Sequence, residues 1–249
     1  MPMIEEMEKQ GAWFFRWRSY LPLFLFLVAI PAYFQFHYES ELCDHMWEIA
    51  CLCCGFLGLS IRALTIGYVP AGTSGRNTHG QVAEQLNTTG IYSLVRNPLY
   101  LGNYFMWLAP IMFLQAWWLV LICSLVFFVY YERIIFVEEK FLREKFGETY
   151  IQWASRTPMF FPKLRGWVTP VESFSWKTVI RREYHGFYAL IAVLFALEVA
   201  TDLWIEKVHF SIRSFDVAWV IGFGLSTIFY LVVRVICKTT CWLRVDGRS

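Results

Sequence analysis

Charge is scarce in this chain. Asp, Glu, Lys and Arg make up 17% of its 249 residues, and the net charge is +2. A soluble domain of this size usually carries about 25% charged residues, so a water-soluble fold is disfavoured. The near-neutral balance also gives no electrostatic basis for binding nucleic acid. The start of the chain lacks the positive region that a cleavable signal peptide needs: Glu5, Glu6 and Glu8 stand there instead. No small-residue cleavage site follows the first apolar run, which is therefore expected to stay in the mature protein. Metal-ligand spacing is missing too. The seven cysteines are an odd number, Cys51, Cys53 and Cys54 fall inside an apolar stretch, and no His or Cys pair completes a zinc set. They read as small packing residues in lipid. No glycine-rich stretch ends in Gly-Lys-Ser/Thr, which excludes a nucleotide-binding P-loop.

What the chain has in quantity is apolar surface: 57% hydrophobic residues, 19% aromatic. A helix needs about 20 apolar residues to cross a bilayer. Six segments qualify as candidates: 21–36, 47–69, 98–114, 117–137, 186–204 and 215–237. The third and fourth are joined by a tight turn at Gln115 and Ala116. If the connecting segments alternate sides, all but two of the 22 Lys and Arg fall on one side; the other side holds only Lys207 and Arg213. The loop from His37 to His45 has none. By the positive-inside rule both termini face the cytoplasm. The expected fold is therefore all-α, a polytopic membrane protein of about six transmembrane helices.

Finer features follow from the flanks. Trp13 to Tyr20 mixes aromatics with arginines just before a span and reads as an interfacial anchor. Trp167 to Arg182 is basic and aromatic-rich. It is expected to form an interfacial helix with Val171, Phe174, Val179 and Ile180 toward lipid and Lys177, Arg181 and Arg182 toward water and anionic headgroups. Charged residues within spans are few, and Arg62, Glu198 and Arg234 stand out near span ends. Each is expected to snorkel or pair, since a buried charge in lipid is expensive.

Two long segments flank the third and fourth spans, so the hairpin brings them to one membrane surface. The first contains the Gly72–Gly80 loop, Gln81 to Gly90, and then Ile91 to Gly102. Asn97-Pro98 has the form of a helix start, Asn as N-cap and Pro at the first helical position. Such a start offers free N–H groups and partial positive charge to a ligand carboxylate. The second runs from Tyr131 to Tyr150. It holds Glu138 and Glu139, i,i+4 pairs Glu139/Arg143 and Lys140/Glu144, and Gly147 as a helix stop. Pro158 and Pro162 then bracket an apolar patch.

Arg96-Asn97-Pro98-Leu99-Tyr100-Leu101-Gly102, then Glu138-Glu139, then Phe146-Gly147-Glu148-Thr149-Tyr150 and the proline-rich end Arg156 to Pro162, resemble the isoprenylcysteine carboxyl methyltransferase and phospholipid methyltransferase superfamily. The likeness covers about residues 72–162. It implies one membrane domain over 1–249: a methyltransferase core at 72–162, a basic interfacial segment at 163–185 and two further spans in 186–249. It also implies S-adenosyl-L-methionine as cofactor, held by Glu84, Gln85, Leu86, Asn87, Tyr92, Asn97, Pro98, Leu99, Tyr100, Gly102 and Tyr150. Arg96, Arg133, Glu138 and Glu139 are the implied catalytic set. Asn97 stands where prenyl-cysteine enzymes usually have His, and it resembles the phospholipid N-methyltransferases there. Asn cannot change charge near neutral pH, so this position binds rather than relays protons. The loop at 72–81 resembles a bacterial subgroup, some members of which are associated with methylating the 1-phosphate of lipid A, implying a bacterial inner membrane.

The partner implied is a membrane lipid. Lys163, Arg165, Lys177, Arg181 and Arg182 favour an anionic headgroup, since Arg matches phosphate through its planar fork. Methylation of a lipid phosphate is therefore the leading expectation. Phosphatidylethanolamine N-methylation and prenyl-cysteine esterification are the alternatives. A sterol-type reductase would bind NADPH instead of S-adenosylmethionine. A transporter or scaffold would bind neither and would line a midplane cavity with polar groups, of which the spans offer few.

Overall fold

The computed structural model describes residues 2–18, 20, 24–35, 41–70, 83–204 and 217–248. The Gly72–Gly80 loop and Gln81, the loop residues 37–40, Lys207 and Arg213 lie outside the described residues, as do the ends of the first apolar run. Eight α-helices are described: α1 Met3–Trp17, α2 Leu25–Tyr33, α3 Glu41–Tyr68, α4 Pro98–Phe113, α5 Trp117–Phe146, α6 Glu148–Ala154, α7 Trp176–Trp204 and α8 Val217–Thr239. No strand occurs among the described residues; Gly90 and Val168 form an isolated antiparallel bridge.

The apolar residues are arranged for lipid rather than for water. On α8, Ile221, Leu225, Ile228, Val232 and Val235 are all exposed. Their spacing of three and four residues puts them in one stripe along the helix. Leu121, Ile122, Leu125, Val126 and Val129 do the same on α5. Continuous apolar surface of this kind is not tolerated by a monomer in water. Among the described residues, four helices are long and apolar enough to cross a membrane: α3, α5, α7 and α8. The other two expected spans correspond to α2 and α4, which are shorter, at 9 and 16 residues. Sixteen residues rise only about 24 Å, less than a hydrocarbon core of roughly 30 Å.

Small residues decide how the helices meet. α3 and α4 share the most extensive contact in the bundle. At their crossing a Cβ on Gly102 would lie 2.8 Å from the Gly58 carbonyl oxygen, and one on Gly58 would lie 2.5 Å from the Gly102 carbonyl. Only glycine allows this approach, the usual device for helix packing where water gives no hydrophobic drive. The α4–α5 hairpin turns at Gln115 and Ala116 as expected, with Gln115 in the left-handed region (φ 53°).

Past the fourth span the chain stays helical as expected: α5 runs unbroken to Phe146, Gly147 ends it, and Glu138 and Glu139 lie on its own axis. One expectation about an element end is corrected. The segment 167–182 is not a separate interfacial helix. Residues 163–175 are non-helical, and helix begins only at Trp176, as the first turns of α7. The local reason is a helix start at Ser175, whose Oγ accepts from the Thr178 N–H at 3.3 Å. Pro170 breaks any earlier start. Val179, expected to face lipid, is buried, while Val171 is 90% exposed.

The ends of the bundle are chemically distinct. At one end Trp47 donates to the Met112 carbonyl at 2.8 Å, Gln115 to Asp44 at 2.7 Å and Trp219 to Glu48 at 3.0 Å. Tyr33 of α2 reaches the Ala200 carbonyl there. The other end gathers the last turns of α3 and α5, the starts of α4 and α7, and α1. A cavity of ≈ 530 Å³ lies between α3, α7 and α8, lined by Leu59, Ala63, Phe187, Leu225 and Glu183 among others. Its walls are nearly all apolar, so the polar chemistry must be sought elsewhere.

Candidate functional site

That chemistry collects where α4 begins and α5 ends. Glu138 and Glu139 are neighbours on one helix, so their side chains diverge by about 100°. One doublet therefore serves two partners. Tyr100 on α4 donates to Glu138 Oε1 at 2.7 Å. Arg96, just before α4, donates through an NH1 hydrogen to Glu139 Oε2 at 3.2 Å. The two stretches that the sequence keeps forty residues apart thus meet on the same side of the bundle. Glu139 does not pair with Arg143 as its spacing suggested; Lys140 does approach Glu144, at 3.9 Å, and more closely Glu8, at 2.6 Å.

The start of α4 is held by the segment that follows α6. Arg96 N–H donates to the Pro158 carbonyl at 2.9 Å, and Lys163 N–H to the Leu94 carbonyl at 3.1 Å. Gly90 N–H donates to the Val168 carbonyl at 2.8 Å, and Val168 N–H to Ser93 Oγ at 3.0 Å. Trp153 of α6 donates to the Tyr92 carbonyl at 3.2 Å. These bonds fold 153–168 over 90–97 and fix Arg96 against Glu139. Pro98 takes the first helical position, as expected. Asn97 occupies the N-cap position, but its side chain does not cap; it donates to the Met159 carbonyl at 3.1 Å instead.

Three polar atoms in this corner are buried without a hydrogen-bond partner among the described residues: Arg96 Nε, Glu139 Oε1 and the Tyr150 hydroxyl. A buried unsatisfied group costs about 1–3 kcal/mol, more when charged. The Tyr150 hydroxyl faces both Glu139 and Arg96 without completing a bond to either, and a donor, an acceptor and a hydroxyl so placed fit the two charged ends of an amino acid, the moiety that S-adenosylmethionine carries. Burial first, and then the charge of Glu139, push the Tyr150 hydroxyl above its ordinary value. Tyr92 is likewise raised, by burial and then by the charge of Glu138. Both phenols stay neutral near pH 7.

Other expected residues fall into place unevenly. Leu86, Asn87 and Leu99 are half-buried, whereas Glu84 and Gln85 are exposed. Gly102, expected in the cofactor set, faces α3 instead, where a Cβ would strike the Arg62 side chain at 2.5 Å. It is a packing residue. Arg133, of the implied catalytic set, has its NH1 3.6 Å from Glu132 Oε2.

Arg62, expected to snorkel or pair, pairs with Glu183 of α7 through two bonds of 2.7 Å and donates to Asn103 Oδ1 at 2.6 Å; Glu183 and Asn103 were not singled out by sequence reasoning. Asn103 donates to the Tyr131 hydroxyl at 3.2 Å. The Tyr131 and Tyr100 rings lie 4.6 Å apart. A polar thread thus runs from α7 through α3 and α4 to Tyr100 and Glu138. Asn103 was detectable as a polar residue three positions after Tyr100 on an apolar helix, the register of a shared face. Arg18, read as part of an anchor, also bears electrostatically on Glu138, Tyr100 and Tyr131.

No solved structure matches the chain. It is 33% identical over 126 residues to the cobalt-zinc-cadmium resistance protein CzcN of Cupriavidus metallidurans, covering 48% of this chain and 56% of that protein. It is 32% identical over 122 residues to the nickel-cobalt-cadmium resistance protein NccN of Alcaligenes xylosoxydans xylosoxydans, covering 49% and 54%. The chain therefore spans about half the length of the curated relatives it matches. The geometry above lies largely within one further likeness: residues 48–149, from α3 to the start of α6, match the model of the phospholipid methyltransferase family.

Proposed function

We propose that this protein transfers a methyl group from S-adenosylmethionine to the headgroup of a membrane phospholipid, with an ethanolamine-type amine as the acceptor. The observation that carries the reading is the Glu138–Tyr100 pair at 2.7 Å, set beside the open polar atoms of Arg96, Glu139 and Tyr150. When bound, S-adenosylmethionine supplies a methyl group on a sulfonium. Arg96, Glu139 and Tyr150 are the residues that would hold its amino-acid end. An ammonium must lose a proton before it can attack, and a carboxylate within reach is the group that takes it. Glu138 has that role here, with Tyr100 orienting it. A phosphate oxygen is already anionic and needs no base, so a buried carboxylate beside it would only repel.

The Lys and Arg distribution supports placing this end of the bundle, and both termini, in the cytoplasm, consistent with a bacterial inner membrane. A second reading keeps the sequence expectation of phosphate methylation, as on the lipid A 1-phosphate. It is favoured by Arg182 of α7, whose charge reaches Tyr92. Against it, Arg96 and Arg133, the two arginines of the implied catalytic set, both stand beside carboxylates. The deciding test supplies purified protein with methyl-labelled S-adenosylmethionine and single lipid species. Label on the amine of phosphatidylethanolamine is expected. Label only on a phosphate would replace the amine assignment, and no label on any lipid would end the methyltransferase reading.

A further inference from the structure

Helices α7 and α8 lie outside the stretch that matches the family. α7 packs against α3 on one side and against α8 on the other. Stacked rings close α7 on α8: Tyr188 and Tyr230 at 4.6 Å, Phe195 and Phe223 at 4.5 Å. Yet a cavity of ≈ 530 Å³ remains where the three helices meet, within the roughly 300–1,000 Å³ of ligand sites. Gly222 of α8 lies on its wall, and a Cβ there would meet nothing within 4 Å. Gly58 and Gly102 let two backbones touch; Gly222 leaves space instead. Leu225 and Phe229 line the cavity and are 62% and 40% exposed, so it opens onto the lipid-facing stripe of α8. Water finds little to bind inside. The Glu183 carboxylate is taken by Arg62, and Ser226 donates to the Phe223 carbonyl at 2.8 Å. A buried water needs about two to four polar partners, so hydrocarbon is the filling that suits these walls. The depth fits as well. Val179, near the start of α7, and Ile191 both line the cavity, and the helix rises about 18 Å between them. One leaflet of a hydrocarbon core of roughly 30 Å is about 15 Å deep. The cavity therefore has the length of a single fatty-acyl chain, and it begins at the end of the bundle that carries Tyr100 and Glu138. Its Glu183 corner is also where the polar thread through Arg62, Asn103 and Tyr131 sets out toward Tyr100.

We infer that this cavity is an acyl-chain site, seating one fatty-acyl chain of the acceptor lipid while the headgroup of that lipid lies at Glu138. The assignment rests on the lipid-methyltransferase reading of the preceding section. An acceptor that diffuses in a bilayer must be held in place to be aligned with the donor methyl. A chain enclosed by α3, α7 and α8 supplies that hold far from the reacting atoms. The contact is the same before and during methyl transfer, so it acts on KM. The two helices beyond the family match thereby select lipids by their tails, while α4 and α5 act on the head. An acceptor with short chains leaves the cavity unfilled.

The test uses the purified full-length protein in detergent and a phosphatidylethanolamine with a diazirine midway along one palmitoyl chain. Photolysis is expected to leave adducts in the stretches 187–191 and 222–229, read by peptide mass spectrometry. Gly222→Leu puts a side chain into the cavity and should cut this labelling at least ~10-fold, the effect of displacing about two chain methylenes. Gly224→Leu, on the same helix and likewise with nothing within 4 Å of its Cβ, should leave it unchanged. Ala63→Phe fills the cavity from α3 and should repeat the Gly222→Leu result, so the outcome does not hang on the folding of one variant. A wild type without adducts in these stretches, or filled variants labelled like the wild type, overturns the site. Kinetics then assigns the chain. In Gly222→Leu the KM for dipalmitoyl phosphatidylethanolamine, relative to that for the dihexanoyl lipid, should rise at least ~10-fold. An unchanged ratio overturns the assignment to the acceptor's own chain and makes the occupant bulk lipid. A wild type that is labelled in the cavity but transfers no methyl group overturns the methyltransferase reading and leaves the acyl-chain site standing.

Discussion

The Glu138–Tyr100 pair is a hydrogen bond to a carboxylate in a half-buried setting, a contact worth about 1.5–3 kcal/mol. Tyr100→Phe and Glu138→Gln keep shape and volume, so both variants should fold. Turnover should fall at least ~100-fold if the pair positions and deprotonates the acceptor. Label transfer under saturating cofactor measures this. Glu139→Ala should act differently: it leaves Arg96 without its carboxylate and should weaken S-adenosylmethionine binding, read by titration, more than it slows a saturated enzyme. The two phenols outside the spans make a pH prediction. Tyr92 and Tyr150 are raised above the ordinary value of 10.0, so above pH 10 the unfolded chain loses their protons before the folded chain does. Stability is therefore full below pH 10 and declines as pH rises beyond it. Tyr92→Phe should make that alkaline decline shallower in thermal melts.

At the level of helices, the chain's periodicity and composition were enough to locate α3, α5, α7 and α8, because a lipid-facing helix has apolar residues on nearly every side. Boundaries were read unevenly. Glu138 and Glu139 end the apolar run, yet the helix leaves the membrane without ending, which the stop at Gly147 made legible. Gly147, with φ 53°, is what stops it. The start of α7 was hidden: the basic stretch before it looked amphipathic, while Ser175 decided where helix begins. The doublet and Arg96 were legible through their motif. Arg62–Glu183 was not, since residues 121 positions apart carry no mutual signal in one sequence. The Gly58/Gly102 crossing gives a prediction of its own. Gly102→Val must push against the α3 backbone, and overpacking of this kind costs about 1–3 kcal/mol. A lowered melting temperature should accompany reduced activity, because the same shift moves Tyr100.

Across the whole molecule, Arg62 and Glu183 tie α7 to the α3–α4 pair, with side-chain exposures of 17% and 5%. Removing one partner leaves the other charge uncompensated in an apolar setting, a loss of about 3–5 kcal/mol. Glu183→Ala should therefore destabilise the protein far more than Arg234→Ala, whose guanidinium, among the described residues, bonds to Tyr230 four residues away at 2.9 Å. Denaturation in a fixed detergent compares the two. The seat of α1 on α5 also has a bearing on biosynthesis. Glu8 emerges from the ribosome long before Lys140, its partner 132 residues downstream. Until α5 has been inserted, the N-terminal helix has no groove to enter and must wait on the membrane surface. The seat that α1 fills against Tyr130, Val137 and Lys140 is therefore taken up late in translation, after α5 has entered the membrane.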